Sequence, residues 1–483
     1  MNPSLLIALP LLFSFSIPLL NKLHKKIPSF LVVISTFINM IITFSLYNTV
    51  LNQSIVVKIG NWNIPFGINL YIDKLSLFSL IIITIITFLI SIYNLRNTDS
   101  LDQSKFNSLF LLAYTGIIGI VLTGDIFNLF VFIEIASIST YVLATLKRKT
   151  SFQAAFKYLV LGAVSSVFLL ISIGLIYSST GSLNMAVIAQ MAGQFDPSLI
   201  KVISILLLIA IGLEAEIFPM NLWVPEVYSK SHIGVTSLLS GVLSLSGIYM
   251  LIRVFFTVFN EPNIYLYLKI LGIITLIFGE FVAYQQENIK KMLAYSSIAQ
   301  MGLVVTIISF NTAFSLQAGL FHLLNHSILK VLLFISVGFM IYNIKSDKID
   351  DLSGLGKKMP FASIGFTIGA LGIMGVPFLS GFVSKMMILQ NTLSFNAYLI
   401  TGLILLATLV EIAYYLKVIQ KLYFESSNQK VRKLFPCLIP IGSLSIFVIY
   451  IGLNPQPVIS FINQVSVQII NNSNYIISIL GGI

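Results

Sequence analysis

Residues 211–225, IGLEAEIFPMNLWVP, place two carboxylates, Glu214 and Glu216, inside an apolar segment and follow them with Pro219. A proline cannot donate a hydrogen bond to the carbonyl group four residues earlier, and its ring collides with that group. The carbonyl group concerned belongs to Ala215, between the two acids. If the segment lies in a bilayer, this stretch predicts an interrupted helix. A membrane tolerates such backbone only where it is buried in protein or lines a watery cavity.

A second interruption is predicted in residues 372–385, GIMGVPFLSGFVSK. Pro377 leaves the carbonyl group of Ile373 without its helical partner, and Lys385 follows a short distance later. Broken helices at corresponding positions in two halves of a chain indicate a transport path. The two stretches therefore predict a pair of ion-carrying sites, and the remaining chain is interpreted as the scaffold around them.

The composition is that of an integral membrane protein. Of 483 residues, 57% are hydrophobic and 9% are charged, and the mean hydropathy is +0.97, whereas soluble domains carry about 25% charged residues. The net charge is +11, but the basic residues are spread over short loops, so no nucleic-acid partner is expected. The single cysteine, Cys437, excludes an intrachain disulfide, a cysteine-based zinc site and an iron–sulfur cluster. We predict no metal site and no cofactor in this chain.

The predicted fold is an all-α polytopic membrane protein, because the chain contains about fourteen apolar segments long enough to span a bilayer. A short hairpin is predicted in residues 52–73, where apolar residues alternate around Asn61 and Pro65, and a surface helix is predicted in the uncharged tail after Pro455. The stretch 311–344 is long for one span and predicts a tilted helix. The predicted spans are residues 3–21, 28–51, 74–95, 106–124, 126–146, 155–179, 200–222, 233–259, 264–284, 291–310, 314–344, 360–394, 396–420 and 434–454.

The lysine and arginine distribution predicts the orientation. Loops after odd-numbered spans contain 21 of the 28 basic residues, from Lys22 after the first span to Lys433 after the thirteenth. Because basic loops remain in the cytoplasm, both termini are expected outside the cell inner (cytoplasmic) membrane. The first span precedes Lys22, whereas a cleaved signal peptide has its positive charges before the apolar core. It is therefore interpreted as a retained helix.

Ionisable residues inside the predicted spans are costly, and each is a functional hypothesis by default. Glu134 lies in the middle of its span, and the alternative to an ion-carrying role is a protonated acid bonded to a nearby hydroxyl group. Arg253 and Glu411 lie nearer helix ends, so structural pairing is favoured for them, and Glu280 is left open. Asp125 is placed at the outer mouth between the fourth and fifth spans. The ionisable residues inside the predicted spans are Glu134, Glu214, Glu216, Arg253, Glu280, His322, His326, Lys330, Lys385 and Glu411.

His322, His326 and Lys330 are spaced four residues apart, so they form one stripe on a helix and predict a proton relay. A metal site would need a third ligand within reach, and packing of one histidine is the other alternative. Lys385 is predicted to be a switchable proton carrier, because burial disfavours its charge and a nearby carboxylate restores it. The alternative is an amine that extends to the membrane surface.

These residues lie in stretches that resemble one known family. The chain resembles the antiporter-like subunits shared by respiratory complex I, membrane-bound hydrogenases and Mrp multisubunit sodium/proton antiporters, and it is most similar to the D-type subunit of Mrp antiporters. The stretches that carry the resemblance are TGDIFNLFVFIEIASISTYVL (123–143), FPMNLWVP (218–225), SLLSGVLSLSGIYMLIRV (237–254), NIKKMLAYSSIAQMG (288–302), FHLLNHSILKVLLFISVG (321–338), DDLSGLGKKMP (350–360) and GVPFLSGFVSK (375–385).

The resemblance implies two inverted five-helix repeats, each with a Pro-broken helix, around a hydrated polar axis. It divides the chain into residues 1–105, a first repeat at 106–259, a second repeat at 260–424, and a last helix with the tail at 425–483. It also implies that Glu134, Lys385 and either His322 or His326 carry ions. The chain departs from the family at three positions, where Glu214 and Leu245 replace lysines and Gly234 replaces a proline.

The predicted function is ion translocation in a multisubunit Na⁺/H⁺ antiporter, with protons and monovalent cations as substrates and other membrane subunits as partners. One alternative is a proton-pumping subunit of a complex I-type NADH:quinone oxidoreductase or of a membrane-bound hydrogenase. Another is a non-conducting assembly subunit, because two family lysines are missing. The chain itself is interpreted as a transporter without a redox cofactor.

Overall fold

The computed structural model describes residues 2–24, 26–97, 102–146, 151–426 and 438–481. Nearly all of these residues are helical. Cys437 and several residues used for the orientation, among them Lys25, Lys147 and Lys433, lie outside the described part. The helices are α1 Leu5–Leu20, α2 Ile27–Asn52, α3 Lys74–Asn97, α4 Gln103–Leu122, α5 Ile126–Thr145, α6 Ser151–Thr180, α7 Met185–Met191, α8 Pro197–Glu214, α9 Val224–Lys230, α10 Ile233–Leu238, α11 Ser244–Ile252, α12 Pro262–Tyr284, α13 Ile289–Ile308, α14 Ala313–Ile344, α15 Leu355–Lys358, α16 Pro360–Met374, α17 Ser380–Ser394, α18 Tyr398–Phe424, α19 Leu438–Leu453, α20 Gln456–Ile470 and α21 Asn472–Leu480.

The helices confirm an all-α multi-pass membrane protein. Within the described residues, eleven helical segments are long and apolar enough to cross a bilayer. A twelfth candidate is the pair formed by α19 and α20, which bends by 82°, and α1 and α16 are shorter apolar helices. Each predicted span coincides with one or more of these helices, including the long predicted span at 314–344, which is α14. The number fourteen and the two inverted repeats stay predictions.

The predicted hairpin is confirmed. Strand β1 (Ile55–Lys58) pairs antiparallel with strand β2 (Asn69–Ile72), with Ile55 opposite Ile72. All four residues of β2 are buried. The apolar alternation in the sequence identified the hairpin, and the burial of β2 gives this short ribbon the packing partner that a two-stranded sheet needs.

The described chain divides into two compact units. The first unit comprises residues 1–215, 242–266 and 463–483, and the second comprises residues 216–241 and 267–462. In the first unit α4 packs against α1 and α5, and α6 packs against α5 and α8. In the second unit α14 is the central helix and contacts α10, α13, α16, α17 and α19. Its side chains are buried along nearly the whole helix, so polar residues on α14 lie inside protein.

Two segments of the span at 233–259 have π-helical hydrogen bonding. They are residues Leu239–Leu243 and Arg253–Phe259, on either side of α11. Such segments are rare and often mark functional positions within a helix. The tail, predicted to be a surface helix, forms α20 and α21 instead. Tyr475 and Ile479 of α21 are buried, so this part of the tail packs into the first unit.

Candidate ion-carrying sites

The interruption predicted at Pro219 is confirmed. Helix α8 ends at Glu214, and the chain resumes as a short 3₁₀ turn at Met220–Trp223 before α9 begins. Between them Glu216 has φ of 58°, in the left-handed region that side chains other than glycine rarely adopt. Glu214 and Glu216 are 3% and 1% exposed. The break therefore places two carboxylates inside the protein, Glu214 at the end of α8 and Glu216 on irregular backbone.

In the first unit, two carboxylates bind hydroxyl groups. Ser137 Oγ donates to Glu214 Oε1 at 2.8 Å, and Ser166 Oγ donates to Glu134. Glu134 and Glu214 are close enough to interact electrostatically. Neither forms an ion pair with a basic residue in the part of the chain that the structure describes. The hydroxyl partner of Glu134 is on α6, so both interpretations of this acid, ion carrier and hydrogen-bonded acid, remain predictions.

Helix α11 packs directly against the end of α8. A Cβ atom at Gly247 would lie 2.5 Å from the carbonyl carbon and oxygen of Glu214, so only glycine permits this approach. Leu245 is fully buried on the same helix. The side chain that α11 places at this position is therefore apolar, and the described contact of Glu214 is with a serine.

Glu216 begins the second unit and has its own partner. Tyr228 Oη on α9 donates to Glu216 Oε1 at 2.5 Å. Glu216 also interacts electrostatically with Lys330 on α14. The two carboxylates of the break thus have different environments, because Glu214 binds a serine and Glu216 binds a tyrosine near a lysine.

The second interruption, predicted at Pro377, is confirmed. Helix α16 ends at Met374, Gly375 follows with φ of 83°, and α17 begins at Ser380. A Cβ atom at Gly381 would lie 1.8 Å from the carbonyl oxygen of Gly372, so the two halves of the broken helix touch through backbone. Asn325 Nδ2 on α14 donates to the Ser380 carbonyl oxygen at 3.0 Å. This side chain satisfies a backbone group near the break.

Lys385 forms an ion pair with Glu411 on α18. The side chains are 11% and 2% exposed, so the amine is directed at a buried carboxylate and not at solvent. The pairing expected for Glu411 is therefore present. The expectation that Glu411 lies near a helix end is wrong, because it occupies the middle of α18 (Tyr398–Phe424). The mid-helix position makes Glu411 part of the candidate ion path.

Gln300 on α13 connects this pair to His322. Its Nε2 donates to Glu411 Oε1 at 2.9 Å, and its Oε1 lies 2.9 Å from His322 Nε2. Because the two hydrogens of the amide face carboxylates, its oxygen faces the imidazole, and His322 Nε2 must donate. His322 Nδ1 lies 3.0 Å from Ser384 Oγ on α17. His322 is thus held between the two helices that meet at the Lys385 site.

His326 and Lys330 continue the stripe on α14, but each binds a different helix. His326 Nε2 lies 3.1 Å from the carbonyl oxygen of Ser240, and Lys330 Nζ donates to Ser296 Oγ at 2.7 Å. Both residues are at most 1% exposed. No group of three or more His, Cys, Asp or Glu side chains suited to a metal ion occurs among the described residues.

Asp125 and Glu226, two of the charged residues outside the spans, have shifted pKa values. Burial raises the pKa of Asp125, whose side chain accepts from the Asn128 backbone at the start of α5. Burial also opposes ionisation of Glu226, but ion pairs with Lys230 and Lys291 outweigh it and lower its pKa to about 2. Asp125 therefore caps a helix, and Glu226 is held as a carboxylate among lysines.

Sequence reasoning missed Gln300, Ser296, Ser384 and Tyr414. A weak signal existed, because Ser296 and Gln300 are four residues apart and share one face of α13. That spacing marks a polar face on an apolar helix. It does not show which residues on other helices the face meets.

The buried carboxylates, histidines and lysines beside two helix breaks define the class of protein, a multi-pass membrane protein with ionisable groups inside its spans. The family described as NADH:quinone oxidoreductase/Mrp antiporter, TM, matches residues 123–411. The chain therefore belongs to this family.

The relatives include subunits of redox complexes and subunits of antiporters. The chain is 30% identical to the N subunit of NADH-quinone oxidoreductase from Desulforudis audaxviator, over 84% of this chain and 86% of that one. It is 29% identical to the D subunit of the Na⁺/H⁺ antiporter from Alkalihalophilus pseudofirmus, over 95% of this chain and 94% of that one. Among solved structures it is similar to a chain of the membrane-bound sulfane sulfur reductase, an archaeal respiratory membrane complex, with 33% identity, a TM-score of 0.94 and 99% coverage of both chains.

Proposed function

We propose that the chain is the ion-translocating, D-type subunit of a multisubunit Na⁺/H⁺ antiporter, in the cytoplasmic membrane with both termini outside. The observation that carries the proposal is the buried Lys385–Glu411 ion pair beside the second helix break. Relatives named as the D subunits of Na⁺/H⁺ antiporters, from Alkalihalophilus pseudofirmus and Bacillus subtilis, align over more than nine-tenths of this chain. The proposed repeats are residues 106–259 and 260–424.

The second unit supplies the proton carrier. At 4 Å and an effective dielectric constant near 20, opposite unit charges attract by about 4 kcal/mol. The Lys385–Glu411 attraction therefore favours the charged form of both groups, and a movement that separates them releases the proton of the amine. His322 and Gln300 connect this pair to α13 and α14, so the released proton has polar groups within reach.

The first unit supplies an acidic site. Glu134 and Glu214 interact with each other, and two neighbouring carboxylates tend to share one proton. Their oxygen atoms also suit a hard cation such as Na⁺. We therefore assign to this unit the site at which a proton and a monovalent cation compete.

A second candidate function is favoured by the relatives with redox names. The sulfane sulfur reductase chain is 33% identical over its length, and the Desulforudis relative is named as an NADH-quinone oxidoreductase subunit. In this candidate the chain conducts protons while partner subunits carry the redox centres. Purification of the intact complex and identification of its subunits would decide between the two candidates.

The test of the main proposal is Na⁺-dependent proton movement in everted vesicles that contain the assembled complex. Lys385→Ala and Glu214→Gln should each reduce the rate by at least about tenfold, because each removes a group that binds or releases the proton. Lys417→Ala is the matched control, since Lys417 is an exposed lysine on the same helix as Glu411. A flux that is insensitive to both substitutions contradicts the proposal. Unchanged flux after neutralising Glu134 and Lys385 together would support the non-conducting alternative.

A further inference from the structure

Glu280 on α12 is a buried carboxylate that the proposed function has not used. It is 1% exposed and accepts two hydrogen bonds. Tyr414 Oη donates to Glu280 Oε2 at 2.8 Å, and Gln300 Nε2 donates to Glu280 Oε1 at 3.2 Å. Burying a carboxylate in an apolar helix costs free energy, so its presence is a functional hypothesis by default. Both of its partners belong to the cluster around Lys385.

Gln300 brings Glu280 close to Glu411. The same Nε2 atom donates to one oxygen of each carboxylate, at 3.2 and 2.9 Å. The two carboxylate oxygens are therefore at most about 6 Å apart, which one water molecule with two ordinary hydrogen bonds nearly spans. Two acids held this closely repel when both are ionised, so one of them readily accepts a proton.

On its other side, Glu280 is connected to Lys330. Lys330 Nζ donates to Ser296 Oγ at 2.7 Å. Ser296 interacts with the hydroxyl groups of both Tyr414 and Tyr415, and Tyr414 donates to Glu280. The side chains from Lys330 through Ser296 and Tyr414 to Glu280 thus form a continuous polar connection. It starts on α14, runs through α13 and α18, and does not use His322 or His326.

Charged groups of both signs surround Glu280. Glu411 faces it from α18, and Lys385 and Lys330 interact with it electrostatically from α17 and α14. Glu280 and Glu411 therefore share one buried cluster with these two bases, and Glu216 also interacts with Lys330. Moving a proton from Lys330 to Glu280 leaves the total charge unchanged and replaces two buried charges with two neutral groups, which reduces the cost of burial.

We propose that Glu280 is a proton-carrying residue that connects Lys330 to the Lys385–Glu411 pair. The ammonium group of Lys330 gives a proton to Ser296 as Ser296 gives its own to Tyr414 and Tyr414 gives its own to Glu280. Lys330 becomes a neutral amine and Glu280 a carboxylic acid. When the Lys385 amine is neutral, the proton passes from Glu280 to Glu411 and on to Lys385, and Glu280 returns to its ionised form. This inference rests on the proposed function and adds a route to it.

The experiment uses the assembled complex in vesicles. Glu280→Gln keeps the size of the side chain and its bond from Tyr414 but cannot accept a proton, so Na⁺-dependent proton flux should fall at least about tenfold. Tyr414→Phe removes one oxygen atom and should lower the flux in the same direction. The matched controls are Glu287→Gln, an exposed acid just after α12, and Tyr295→Phe, a tyrosine next to Ser296 that makes an aromatic contact with Phe278.

Two further readouts separate proton transfer from a structural role. Infrared difference spectra of the purified complex, recorded as the pH is changed, should contain a carboxylic acid band that disappears in Glu280→Gln and persists in Glu287→Gln. Glu280→Asp should restore part of the flux. If the complex with Glu280→Gln does not assemble, the flux of Tyr414→Phe decides the question, because that substitution removes only one oxygen atom.

The outcomes distinguish this inference from the proposed function. Loss of flux with loss of the infrared band supports the route through Glu280. Wild-type flux in both Glu280→Gln and Tyr414→Phe, while Lys385→Ala remains inactive, overturns the route and leaves the proposed function standing. A wild-type complex that moves no protons in response to Na⁺ overturns the proposed function itself.

Discussion

Replacement of Asp73 by asparagine should strongly destabilise the first unit. Arg253 donates to the two oxygens of Asp73 at 2.8 and 2.7 Å, and the side chains are 4% and 5% exposed. The guanidinium group also lies between 5.3 and 5.5 Å from the ring centres of Tyr71, Tyr249 and Tyr475. Asparagine keeps the shape of the side chain but leaves a buried cation without a counter-charge.

The expected loss is about 3–5 kcal/mol, the range found when one partner of a buried ion pair is removed. A Coulomb attraction of about 4 kcal/mol at an effective dielectric constant near 20 agrees with it. Burial raises the pKa of Asp73, but Arg253 outweighs burial and holds the pKa below the ordinary value of 3.8. The carboxylate is therefore charged at neutral pH. Because the folded-state pKa is the lower one, this stabilisation is present above about pH 4 and is lost as the pH falls further.

The assay is unfolding of the full chain in mixed micelles by increasing SDS, followed by circular dichroism. Arg253→Gln should cost a similar amount, because it leaves a buried carboxylate unpaired. The double variant, Asp73→Asn with Arg253→Gln, should be at least about 2 kcal/mol more stable than either single variant, since no buried charge remains. A single variant within about 0.5 kcal/mol of wild type, or a double variant no better than the singles, would refute this reasoning.

Three other substitutions test the fold and its electrostatics. Gly381→Ala should destabilise the chain by about 1–3 kcal/mol or more in the same SDS assay, because its Cβ would collide with the carbonyl oxygen of Gly372. Tyr475→Leu should cost about 1–2 kcal/mol there, because one ring beside the buried guanidinium is lost. Glu226→Gln should cost about 1 kcal/mol or less at neutral pH. That difference should vanish in thermal unfolding as the pH falls from 4.5 towards 2, because the ion pairs lower the pKa of Glu226 to about 2, so their stabilisation is complete above the ordinary value of 4.5 and is lost as the pH falls to the lowered value.

The helix breaks and the hairpin could be predicted because their causes are local. A proline removes one backbone donor at a fixed place, so Pro219 and Pro377 identified both interruptions within a few residues. Helical periodicity placed His322, His326 and Lys330 on one face of α14, because residues four apart share a face of any α-helix. These arguments need only the chain itself, and they do not depend on which helices become neighbours.

The partners of the buried charges could not be predicted, because they depend on how helices pack. Glu411 was expected to pair, but near a helix end and with no partner named, whereas it lies in the middle of α18 and pairs with Lys385. Glu280 was left open, yet it binds Tyr414 and Gln300. Sequence spacing shows which residues share a face of one helix. The rotation and depth of the facing helix, which decide the contact, follow from the packing of many apolar side chains.

The two helix breaks have different charge chemistry. At the second break a lysine and a glutamate pair, so a proton is stored on an amine and its release leaves the carboxylate unpaired. At the first break Glu214 has a serine partner and Leu245 is apolar, so a proton can be stored only on a carboxylate. A carboxylate site releases its proton by becoming negative, and that negative charge attracts a cation. Under the proposed function, the first centre is therefore the one at which Na⁺ and H⁺ compete, and the second centre is the one that passes protons.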